Sequence, residues 1–115
     1  MIEIFQGNDR VFALPRIDIN GNIITTKPQK MWFTVKGKLD HVGFLFQKTI
    51  DNGINQRADG LWEITIDAED TANINPGRYN FDVKVVNEYG KEYTIVKPQD
   101  FVVLPVATQI ANQGV

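Results

Sequence analysis

The residues that can do chemistry are few. His41 is the single histidine, in Lys36-Gly37-Lys38-Leu39-Asp40-His41-Val42-Gly43. A neighbouring aspartate can orient an imidazole for general-base work, but the chain has no Ser and no Cys for it to activate. A solvated loop is the better account of His41. Asp67, Glu69 and Asp70 offer oxygens to Ca²⁺ without the one-three-five spacing of a dedicated loop, and Asp18-Ile19-Asn20-Gly21-Asn22 starts that pattern but lacks its glycine and distal glutamate. Turn formation and negative charge at the start of a helical turn explain the acidic cluster without a metal. Glu63, Asp67 and Asp82 lie on or beside predicted strands, but a glycosidase needs two carboxylates set across a cleft, and a small β domain leaves little room for one. Lys27, Lys30, Lys36 and Lys38 are interleaved with Trp32 and Phe33 as on a nucleic-acid stacking platform, yet the sequence pI is near 5.3 and no basic run is sustained. The expectation is a non-enzymatic protein with no cofactor, no metal, no nucleic acid and no membrane as its partner.

The elements that must position any site are strands. Val, Ile, Thr and aromatic residues number 44 against 11 Ala and Leu, a balance that favours sheet over helix. Ten Asn, nine Gly and five Pro are spread along the chain and suit frequent turns. At 115 residues the chain is one domain that buries about two-thirds of its unfolded surface, so it needs no disulfide staples. Its start has neither the basic opening nor the apolar run of a signal peptide, and no apolar run nears ~20 residues, so the expectation is a soluble protein made in a cytoplasm.

Two-residue alternation predicts strands near 2–5, 10–19, 30–36, 44–49, 61–67, 78–86 and 93–103. Pro15 places the second at an edge or bulge, Asn20-Gly21 is a hairpin turn signal, and residues 23–25 form a short return strand. Trp62, Ile64 and Ile66 mark the clearest half-buried strand. The acidic stretch 67–75 allows one helical turn, Pro76-Gly77 ends it, and the last strand is broken at Lys97-Pro98-Gln99. Seven strands spaced by turns over about 100 residues fit an all-β, immunoglobulin-like antiparallel β-sandwich spanning residues 1–105, with 106–115 as a flexible C-terminal tail.

One segment is more specific than alternation. It reads Gly60-Leu61-Trp62-Glu63-Ile64-Thr65-Ile66, then Glu69-Asp70-Thr71, then Ile74-Asn75-Pro76-Gly77-Arg78-Tyr79-Asn80-Phe81-Asp82-Val83. Together with Gln6-Gly7-Asn8-Asp9, Trp32-Phe33-Thr34-Val35-Lys36, Tyr93-Thr94-Ile95 and Phe101-Val102-Val103, it resembles the immunoglobulin-like domains of bacteriophage tail and baseplate proteins, such as the amino-terminal domain of baseplate upper proteins. The resemblance covers most of residues 2–104 and departs at Pro98-Gln99-Asp100, where the family often has a glycine. It implies a structural protein of the virion, from a phage or prophage, that works by homo-oligomerisation and by contact with other tail or baseplate proteins.

Read from the residues themselves, Tyr79 sits where a tyrosine corner sends its hydroxyl to upstream backbone, Gly77 gives the turn before it conformational freedom, and Asp70 closes the preceding turn. In the third strand either Met31, Phe33 and Val35 or Trp32, Thr34 and Lys36 face the core, and an aromatic is left outside either way. Candidate protein contacts are Ile2, Ile4 and Phe5 on the first strand, together with Trp32. The alternative is a carbohydrate-binding module for host cell-surface glycans, with Trp32, Tyr89 or Tyr93 stacking on sugar rings.

Overall fold

The computed structural model describes residues 1–14, 24, 26–38 and 42–107. Among these the chain is all-β, with eight strands and a single turn-and-a-half of helix. The strands are β1 (Ile2–Phe5), β2 (Arg10–Leu14), β3 (Lys30–Lys36), β4 (Phe46–Ile50), β5 (Gly53–Gln56), β6 (Trp62–Ile66), β7 (Gly77–Val86) and β8 (Glu92–Leu104). The helix α1 (Ala68–Ala72) lies between β6 and β7.

The strands run in the order β1-β8-β7-β3-β4-β5-β6-β2. Eight strands about 4.8 Å apart would separate the two ends of a flat sheet by about 34 Å. Yet β1 and β2, the two ends, are joined by residues 6–9, and the step from Phe5 to Arg10 reaches no more than about 18 Å. The sheet must therefore fold over. Its thinnest joint is β4 to β5, paired only through Thr49 with Gly53 and Ile50 with Ile54. The arm β1-β8-β7-β3-β4 then faces the arm β5-β6-β2, and a 5.7 Å edge-to-face contact between Phe12 of β2 and Phe33 of β3 spans the two.

The alternation explains what fills the space. Met31, Phe33 and Val35 turn inward, as do Trp62, Ile64 and Ile66 opposite them and Phe81, Val83 and Val85 beside them. Phe33 is the hub, with ring centroids 5.4 Å from Phe81 and 6.3 Å from both Phe46 and Phe101. The Trp62 indole is wholly enclosed and its Nε1 has no hydrogen-bond partner among the described residues.

Several expectations are corrected. The sheet is mixed rather than antiparallel, because β1 runs parallel to β8 and β5 parallel to β4. An eighth strand, β5, forms in what the sequence offers only as a polar connection, since it carries one buried apolar residue, Ile54. The expected break at Lys97-Pro98-Gln99 is a bulge within a continuous β8, where the register slips against Phe81 and Val83. Pro15, the turn at Asn20-Gly21, the return strand 23–25, His41 and most of the 106–115 tail lie outside the described residues, as does the Asp18–Asn22 calcium start.

The helix end of the fold is held by polar groups. Asp67 N–H donates to the Asp70 carboxylate at 2.7 Å, and Asp9 accepts from Ala68 N–H at 2.6 Å. Gly7 N–H donates to the buried Thr71 hydroxyl at 2.9 Å, and the Gln6 amide donates to Ile74 C=O at 2.7 Å. Lys48 points inward from β4 and meets Asp70 at 2.6 Å and Asp67 at 3.4 Å. Gly53 makes room for it: its φ is 98°, and a Cβ there would lie 2.5 Å from Lys48 Cδ.

Candidate functional site

With Met31, Phe33 and Val35 buried, the register of β3 is decided and Trp32, Thr34 and Lys36 face outward. The pairing lays Lys84 and Thr49 beside Trp32, Asp82 and Gln47 beside Thr34, and Asn80 beside Lys36. The β3–β4 connection contributes Gly43 and Phe44 at this outward face, and β8 contributes Glu92. Together they enclose an open groove of about 400 Å³. A smaller depression of about 80 Å³ continues it toward Asn80 and shares Thr34, Lys36 and Asp82.

The groove is amphipathic. Trp32 and Phe44 supply aromatic surface, and Phe44 is 55% exposed. Gln47 Nε2 donates to the Thr34 hydroxyl oxygen at 2.9 Å, which leaves Thr34 its proton to donate and Gln47 its carbonyl to accept. Lys84 meets Glu92 at 3.4 Å and keeps further N–H donors. Asp82 has no ion-pair partner among the described residues and offers acceptor oxygens. Among the described residues of the lining, two ammonium groups stand against two carboxylates. Nothing in this set pairs a nucleophile with a base.

The other sequence candidates are dispersed. Ile2 and Ile4 face the core and are buried, so they are not a contact surface; the correction follows from the pairing of β1 with β8, which turns its even residues inward and leaves Phe5 outside. Tyr89 is 80% exposed at the tip of the β7–β8 hairpin, whose turn is fixed by Asn87 Oδ1 accepting from Tyr89 N–H and Lys91 N–H at 2.9 and 3.0 Å. Tyr93 is 55% exposed beside Val85. Neither lines the Trp32 groove, so the three aromatics do not form one stacking surface. Tyr79 donates its hydroxyl to Asn75 C=O at the entrance to β7. Gly77 has φ 159°, at the margin of extended backbone, and its open side lies in ordinary contact with the Tyr79 ring. Phe44, Gln47, Lys84 and Glu92 are site residues that sequence reasoning missed. Gln47 and Lys84 are placed by the pairing of β4 and β7 with β3, Glu92 by β8 and Phe44 by the β3–β4 connection, and no local pattern announces these partners.

Among the described residues no group of three or more His, Cys, Asp and Glu side chains is placed to hold a metal ion. No family model matches the chain, and no curated protein matches it. Among solved structures it is similar to CopC from Methylosinus trichosporium OB3b, at 17% identity and a TM-score of 0.43 over 71% of this chain and 69% of that one. The expected phage tail or baseplate role is withdrawn, since no family or curated match stands behind the resemblance.

Proposed function

We propose that the chain is a non-enzymatic binding module built on an immunoglobulin-like frame, and that its ligand lies in the groove floored by Trp32. Three features support the frame. The arm β8-β7-β3 corresponds to the G-F-C sheet of such domains, and β2-β6-β5 to B-E-D. The chain crosses between arms from β2 to β3 and from β6 to β7. Tyr79 makes the backbone hydrogen bond of a tyrosine corner where β7 begins.

The observation that carries the binding reading is a tryptophan on the outward face of a central strand, in one groove with a second aromatic and among unspent donors and acceptors. Outward positions of a sheet need no such combination for folding, whereas binding sites join apolar surface to a few convergent polar groups. The experiment is a fragment screen followed by amide chemical-shift mapping of the whole protein. Shifts are expected to cluster on Trp32, Thr34, Gln47, Asp82 and Lys84. Hits that cluster elsewhere, or no hits at all, overturn the reading.

A further inference from the structure

Resting on that reading of the groove, we infer that its ligand is a neutral oligosaccharide, with one pyranose ring stacked on Trp32 and the chain continuing along β3 toward Asn80. Four features of the same surface lead there.

The first is the pairing of an aromatic face with hydroxyl-scale hydrogen bonding. A pyranose presents C–H groups on its faces and hydroxyls at its rim, so it needs a π surface below and mixed donors and acceptors around it. Trp32 gives the surface. Thr34 and Lys84 donate, and Gln47 and Asp82 accept. A purely apolar ligand would cover the Thr34 proton, the Gln47 carbonyl, the further Lys84 protons and the Asp82 carboxylate without offering any of them a partner.

The second is charge. Lys84 meets Glu92 at 3.4 Å, and among the described lining residues two ammonium groups stand against two carboxylates. With as many ammonium groups as carboxylates in the described lining, the groove offers a charged sugar no net attraction to offset the loss of its hydration, which favours an uncharged ligand.

The third is length. From Trp32 to Lys36 the strand runs about 13 Å, longer than a single pyranose ring, and the smaller depression extends the larger one along this line by sharing Thr34, Lys36 and Asp82. A chain of sugars fills both; a monosaccharide fills one.

The fourth is rigidity. The polar residues stand on β3, which is paired on both sides, and on its neighbours β4 and β7, each joined to β3 in unbroken register. A preformed floor spares a weak, polar ligand the cost of ordering its site.

The test uses the intact protein. Trp62 is wholly buried, so changes in tryptophan emission on adding ligand report Trp32. Cellohexaose, xylohexaose, maltohexaose and chitohexaose are titrated, with the matching disaccharides and with oligogalacturonate as the anionic probe, and binding is mapped by amide shifts. At least one neutral hexaose is expected to saturate, at least tenfold more tightly than its disaccharide, with shifts at Thr34, Gln47 and Lys84. Trp32→Phe is expected to lose the emission change but retain part of the affinity, and Trp32→Ala to lose binding by tenfold or more with the fold unchanged by circular dichroism. Asp82→Ala is expected to weaken binding about fivefold. Tightest binding to oligogalacturonate, or no sugar binding while fragments still map to the groove, overturns the sugar inference and leaves the groove reading standing. Sugar binding mapped to Tyr89 and Tyr93 with the groove silent overturns both.

Discussion

The inward lysine of β4 gives a sharp test of how the fold is held. Lys48 has a side chain 8% exposed, and its ammonium sits 2.6 Å from Asp70, itself 15% exposed, and 3.4 Å from the more open Asp67. Replacing Asp70 by Asn leaves Lys48 buried with its weaker partner alone and also weakens the hydrogen bond that Asp70 accepts from Asp67 N–H. Removing one member of a buried pair costs about 3–5 kcal/mol, and the remaining contact to Asp67 places Asp70→Asn near the low end of that range. Lys48→Met keeps the length and apolar stem, removes the buried charge, and leaves Asp70 able to accept from Asp67. It is expected to cost less than about 1.5 kcal/mol. Urea unfolding followed by fluorescence measures both, and the double variant closes the cycle. The double variant is expected to be more stable than Asp70→Asn alone. If Lys48→Met is the more damaging single change, or the two effects add without coupling, the reasoning from burial is refuted.

Three further outcomes follow from the packing. Phe33→Ala, which removes the hub ring contacting Phe12, Phe46, Phe81 and Phe101, is expected to cost about 3–5 kcal/mol by denaturant titration. Tyr79→Phe loses the bond to Asn75 C=O while keeping the ring, and is expected to cost about 0.5–1.5 kcal/mol, read as a lowered Tm. Gly53→Ala places a Cβ against Lys48 at a backbone angle that side chains avoid and is expected to cost about 1–3 kcal/mol; Gly53→Ala with Lys48→Ala should recover part of the steric loss in the same titration.

The all-β class and most strands were legible because the inward residues of β3, β6 and β7 alternate in unbroken threes, and alternation is a local property. The helical turn of α1 and the Tyr79 bond were legible for the same reason, since Asn75 is only four residues from Tyr79. What was not legible depends on distant partners. β5 has one apolar residue and takes its identity from Ile64 across the ladder. Lys48 reads as an outward charge until Asp70, 22 positions later, is brought beneath it. The choice between Trp32 and Phe33 for the core is settled by rings on β2, β4, β7 and β8 that close around Phe33. The groove inherits this, since its members come from three central strands, β8 and the β3–β4 connection. The parallel place of β1 was equally hidden: Ile2 and Ile4 look like a contact strand until pairing with β8 turns both toward the core.

The central claim is that the outward face around Trp32 binds a ligand and is not merely surface. Amide chemical-shift mapping of the wild type and Trp32→Ala with the neutral hexaoses tests it most directly. Saturable shifts confined to Trp32, Thr34, Gln47, Asp82 and Lys84 are expected in the wild type, with their loss in a variant that remains folded. Saturable shifts that persist unchanged in Trp32→Ala would contradict it.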